Sequence, residues 1–126
     1  MLRDQINSRK QGDVGLGAAI GWFTSQGFTV CVPLTDSQKF DLVVEFADGL
    51  KKVQVKTAYY KRKHYEVTIQ TSGGNKSRYT HNQFDNSLVD YLFVLTEEDH
   101  KYLIPAKDVS AKKILTLCGK YNKYLL

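Results

Sequence analysis

Phe40-Asp41-Leu42-Val43-Val44-Glu45-Phe46-Ala47-Asp48-Gly49-Leu50-Lys51-Lys52-Val53-Gln54-Val55-Lys56-Thr57 is the stretch that decides the fold. Two β-branched runs flank an Asp-Gly pair, the strongest short-range hairpin signal a sequence carries. With Asp48 and Gly49 as the central turn residues, Ala47 pairs with Leu50, and continuing the ladder sets Asp41 opposite Lys56. Side chains alternate along a strand, so Gln54 projects from the same face as Lys56, while Val53 and Val55 project from the other. A carboxylate, an amide and an ammonium are thus expected to gather on one face. The plain alternative is a surface ion pair across two strands, worth about 0 to 1 kcal/mol and without function. The surroundings favour a site: very apolar strands deliver these polar groups to one end of a sheet, behind a polar loop and near a helix with Asp13 in its first turn.

Before the hairpin, residues 11–26 place Val14, Ala18 and Trp22 at helical spacing beside Leu16, Ala19, Ile20 and Phe23, and the pattern stops at Gly27. Thr29-Val30-Cys31-Val32 reads as a short strand stopped by Pro33. After the hairpin, residues 65–70 alternate as a strand. Residues 71–86, rich in Gly, Asn, Ser and basic side chains, read as a long loop. Tyr91-Leu92-Phe93-Val94-Leu95 has the continuous apolar character of a strand buried on both faces, and Lys101-Tyr102-Leu103-Ile104 completes a second hairpin. A short helix is expected around 106–113. The order helix, four or five strands, helix predicts an α/β (α+β mixed) fold with a mixed sheet.

The chain has 126 residues, enough for one domain over 1–126 and for a single site. Hydrophobic residues make up 42% and charged residues 25%, a globular composition rather than a disordered one. Eighteen Lys and Arg against 13 Asp and Glu give a formal charge of +5, a bias toward polyanionic partners. Cys31 and Cys118 stand far apart with no Cys or His at metal-ligand spacing, which excludes a readable zinc site and predicts a reduced, cytoplasmic setting. No stretch approaches the roughly 20 apolar residues of a membrane span.

Gly12-Asp13 opening a helix, then Phe40-Asp41-Leu42-Val43-Val44, a turn, and Val53-Gln54-Val55-Lys56-Thr57 resembles the PD-(D/E)XK nuclease superfamily. The closer resemblance is to its small branch of intron-encoded homing and phage endonucleases, in which Gln replaces the second acidic residue. It spans about residues 10–105 and implies a restriction-endonuclease-like core. By position, Asp41 corresponds to the metal-binding aspartate, Gln54 to the second acidic or amide position, Lys56 to the lysine and Asp13 to the acidic residue of the first helix. The backbone carbonyl of Val55 is implied as a further ligand of Mg²⁺ or Mn²⁺. Asp13 is shorter than the Glu often found there, and Gly15-Leu16-Gly17 follows where a second acidic residue is common.

The chemistry accounts for these residue types independently. Phosphodiester hydrolysis calls for a hard cation held by one or two carboxylates, and a nearby lysine to position water or offset developing negative charge. Lys61, Arg62 and Lys63 follow the lysine strand, and Lys76 and Arg78 sit in the long loop, where basic residues among tyrosines suit phosphate contacts. Asp85, Asp90 and His64 invite a metal-cluster reading, but Asp90 is better placed to precede the buried strand. Double-stranded DNA is the expected partner, cut by a homo-oligomer, dimer or tetramer, since one small domain offers one site for two strands. The competing readings are a Holliday-junction resolvase, which prefers DNA structure over sequence, and a noncatalytic nucleic-acid-binding domain on a nuclease fold.

Overall fold

Asn7 opens helix α1 (Ser8–Ser25), its side-chain oxygen accepting the Lys10 N–H at 2.9 Å. Polar residues thus extend the helix one turn ahead of the apolar pattern, and Asp13 falls in the second turn rather than the first. The computed structural model describes residues 2–5, 7–73 and 80–126, with the backbone alone around 71–73 and 80–81. Strands β1 (Thr29–Cys31), β2 (Leu42–Phe46), β3 (Gly49–Lys61) and β4 (His64–Thr68) follow. The segment read as a long loop holds a small separate ribbon of β5 (Thr71–Gly73) and β6 (Thr80–Asn82). β7 (Tyr91–Thr96) and β8 (Lys101–Pro105) form the second hairpin.

The expected second helix shrinks to a 3₁₀ turn at Ala106–Asp108, and the chain then makes β9 (Ile114–Leu117). Ile114 is exposed while Leu115 and Leu117 are buried, an alternation that fits a strand and not a helix. β9 pairs with β4, so the sheet reaches seven strands, more than the four or five expected. Its order is β1-β2-β3-β4-β9, with β7 joined to β3 and β8 to β7. The β3–β7 pair is parallel and the others antiparallel, so the fold is the α+β mixture expected, with a mixed sheet.

β3 is the spine. It pairs with β2 up to Val53, with β7 from Val53 to Ala58, and with β4 from Tyr59. Each of its faces covers a core. Val53 and Val55 join Leu42, Val44 and Phe93 beneath Ala19 and Phe23 of α1, while Ala58 joins Leu92, Val94, Val67 and Leu115 on the opposite side. Phe23 and Phe93 are fully buried, and truncating either to Ala costs about 3–5 kcal/mol by lost transfer energy and cavity formation.

The hairpin turn lies one residue earlier than the Asp-Gly pair suggests. Phe46 pairs with Gly49, and Ala47 and Asp48 are the central residues. A type I′ turn at Asp48-Gly49 would need Asp48 in the left-handed region; only Gly49 takes positive φ, at +127°, just after the turn. Asp41 is therefore set toward Gln54, not Lys56. The slip moves the partner by two positions, so Gln54 and Lys56 keep their common face and only the pairing is corrected.

A candidate active site at a fork in the sheet

Along β3, the register with β2 ends at Val53 and that with β4 begins at Tyr59. Among the described strands, residues 54–58 between those points are paired with β7 alone. Asp41, immediately before β2, fills part of this fork. Its N–H donates to the Val53 carbonyl at 2.9 Å, and its carboxylate accepts the Val55 N–H at 2.7 Å. A side chain thus takes the place of the next rung of the ladder. That contact fixes one carboxylate oxygen.

Asp41, Val55 and Asp13 line one groove of about 450 Å³, with Ser8, Arg9, Gly12 and Leu16 of α1. Helix α1 can lie this close because Gly15 has no side chain: a Cβ there would meet Thr57 Cγ2 at 3.0 Å and Val55 Cγ1 at 3.5 Å. A chain of hydrogen bonds locks the same contact. Thr57 Oγ1 donates to the Tyr59 hydroxyl at 3.3 Å, which donates to Gln11 Oε1 at 2.7 Å, and Gln11 Nε2 donates to the Gln5 carbonyl at 3.0 Å. Gln11 and Tyr59 have no motif signature, and only the packing of helix on strand reveals them.

Lys56 lies half-buried on the face away from α1 and helps line a second groove, of about 300 Å³, with Tyr59, Lys61, Arg62 and Glu66. Burial pulls its pKa below the usual lysine value, while the Asp41 charge pulls it back up. Asp41 is open to solvent on one side but flanked closely enough that desolvation pushes its carboxyl above the usual value, against the opposing pull of the Val55 N–H and Lys56. Gln54, also half-buried, lines a third hollow beyond Lys39. Asp41 thus shares a groove with Asp13 and an electrostatic field with Lys56, and Gln54 stands next to it in register.

By donor type, the two carboxylates and the backbone segment of this groove offer oxygens that suit a hard divalent cation, and Arg9 on the same groove adds a positive charge suited to a phosphate. No group of three or more His, Cys, Asp and Glu side chains that could hold a metal occurs among the described residues. Asp85 accepts the Ser87 N–H and hydroxyl, and Asp90 accepts the Lys52 N–H at 2.8 Å just before β7. The structure therefore does not assemble Asp85, Asp90 and His64 into a cluster. Lys61, Arg62 and Lys63 are exposed, with Arg62 and Lys63 forming the β3–β4 turn at φ of 52° and 73°. Lys76 and Arg78 lie outside the described residues. Both cysteines are free, and no described helix is long and apolar enough to cross a membrane.

The sequence and the fold have counterparts in known proteins. Residues 6–120 match the family model described as PD-(D/E)XK endonuclease. The chain is 33% identical over 106 residues to Protein 5.3 of Escherichia phage T7, covering 80% of this chain and 81% of that one. Its fold superposes on that of a bacterial homing endonuclease, I-Ssp6803I, with a TM-score of 0.77 and 25% identity, covering 94% of this chain and 82% of the other. With a family match running from before α1 through the fork to β9, this chain belongs to the PD-(D/E)XK endonuclease family.

Proposed function

We propose that the chain is a divalent-metal-dependent endonuclease that hydrolyses phosphodiester bonds of double-stranded DNA at the fork between β2 and β4. The observation that carries this reading is the Asp41 carboxylate, fixed by the Val55 N–H at 2.7 Å, coupled to a half-buried Lys56 and facing the same groove as Asp13. Asp41, Asp13 and the Val55 carbonyl would hold Mg²⁺ or Mn²⁺ in the groove they share, with Gln54, which lines the neighbouring hollow, added as a neutral oxygen donor on sequence grounds. When bound, the cation supplies Lewis-acid polarisation of a phosphoryl oxygen and acidification of water.

The protein's own groups do the rest. The Val53 carbonyl and the Val55 N–H hold Asp41 from both its ends, so the carboxylate is oriented before DNA arrives. Lys56 stands where its ammonium can offset negative charge developing on the phosphate. Because burial lowers its pKa, it also gives up a proton more readily than a surface lysine. Lys61, Arg62 and Lys63 bind the phosphate backbone, with Lys76 and Arg78 added on sequence grounds. Cutting both strands calls for a homo-oligomer. The likeness to a homing endonuclease supports site-specific cleavage of the homing or phage type.

The test is plasmid nicking with Mg²⁺ and Mn²⁺ by wild type, Asp41→Ala and Lys56→Ala. Each variant is expected to lose at least about a hundredfold in rate. Wild-type cleavage by Asp41→Ala would remove the site assignment. A wild-type protein that cuts no duplex with either metal would remove the endonuclease reading.

A further inference from the structure

Next to the fork lies a hollow that the proposed chemistry leaves unused. It measures about 370 Å³, within the range of small-ligand pockets, and Gln54 forms the wall it shares with the fork. Two carboxamides line it besides Gln54, Asn82 from the end of β6 and Gln83 directly after it, and the Asp85 carboxylate, held by Ser87, lies on the same wall. Each carboxamide offers a donor and an acceptor side by side, the pattern that pairs with the edge of a nucleobase. Apolar surface backs them. Ile69 and Phe84 are almost wholly buried, and Leu88 remains 45% exposed at the rim. Lys39 adds a positive charge from the loop before Asp41.

We propose that this hollow receives one unpaired nucleobase, from the nucleotide adjoining the phosphate at Asp41. An apolar wall with several amides suits the flat faces and polar edge of a base better than it suits a phosphate, which would call for clustered cations. The position follows from the register. Beyond the Leu42–Val53 pair the next position on β3 is Gln54, so a strand whose phosphate lies at Asp41 has its neighbouring base within reach of the hollow. A base stacked in a duplex cannot enter it, so the pocket favours DNA with a bulge, a mismatch or a base turned outward. The inference rests on the nuclease reading only in assuming that a DNA strand crosses the fork.

The experiment uses a 30-mer duplex carrying a single bulged 2-aminopurine, titrated with the full chain in Ca²⁺, beside the same duplex fully paired. Wild type is expected to bind the bulged duplex about tenfold more tightly and to change the probe's fluorescence. Asn82→Ala/Gln83→Ala should abolish that preference while retaining paired-duplex affinity and plasmid nicking in Mg²⁺. Leu88→Trp, which fills the rim, should do the same without removing a polar group. Equal affinity of wild type for both duplexes, or a fluorescence change untouched by both variants, overturns the proposal. Loss of nicking in wild type would instead strike the nuclease reading, because the binding comparison needs no cleavage.

Discussion

Asp41 carries a charge in a place that resists it. Desolvation raises its carboxyl pKa in the folded chain, outweighing the Val55 N–H and Lys56. The folded protein therefore holds that proton more tightly than the unfolded chain does. Its favourable contribution is present below the ordinary carboxylate pKa and is lost as pH rises through the raised one, leaving the metal-free protein with a penalty at neutral pH. Asp41→Asn keeps an oxygen to accept the Val55 N–H and removes the charge. It should raise the thermal midpoint in EDTA at pH 7 by on the order of 2 °C, an advantage that shrinks at pH 4, and abolish Mg²⁺-dependent nicking. Calorimetry at the two pH values checks this; a lowered midpoint at pH 7 contradicts it. That Gln54 and Lys56 share a face of β3 near Asp41 was legible in the sequence, because alternation along β3 survives a two-position slip of its partner. Tyr59 and Gln11 were not, since nothing local ties a strand tyrosine to a helix glutamine 48 positions away.

At the scale of elements, the contact of α1 with β3 sets the distance between Asp13 and Asp41. Gly15→Ala adds a methyl that must displace Thr57 Cγ2, at an overpacking cost of about 1–3 kcal/mol, offset in part by the roughly 1 kcal/mol better helix propensity of Ala. Cleavage should fall by about tenfold, since a small shift of a positioned group is costly to rate, while the net loss of up to about 2 kcal/mol lowers the midpoint by no more than about 10 °C and leaves the chain folded at assay temperature. Adding Thr57→Ser removes the opposing methyl and should restore the rate; a double variant as slow as the single would mean that helix position is not the cause. The β3–β4 turn offers the reverse trade. Arg62 and Lys63 both sit at positive φ, where Asn and Gly are at ease. Arg62→Asn/Lys63→Gly should gain about 0.5–1 kcal/mol in urea unfolding, yet bind DNA more weakly and reduce the salt slope of binding by about two. An unchanged salt slope would take this turn out of the DNA surface. The hairpins were legible as elements because apolar runs and turn residues are local signals. The exact turn and β9 were not: the first depends on which residue accepts positive φ, and the second on a long-range pairing with β4.

For the whole molecule, the net charge of +5 gives a general attraction to polyanions, and one candidate site per chain makes double-strand cleavage a matter of assembly. Mixing wild type with a tenfold excess of Lys56→Ala before adding plasmid should convert linear product into nicked circles, because mixed assemblies hold one working site. Continued linearisation in proportion to the wild-type share would indicate that each chain cuts both strands by itself. Sedimentation of the same mixtures gives the number of chains.

The Asp41–Val55 bond also bears on motion. The ladders of the sheet are knit by backbone to backbone, and opening them means separating strands; at the fork a side-chain oxygen takes the place of a rung, as side chains also do at Lys52 and Tyr60. That makes the fork a latch. With one carboxylate oxygen held and the other open to solvent, a ligand can be taken up or released at the second oxygen while every ladder around it stays closed and no part of the sheet is unzipped.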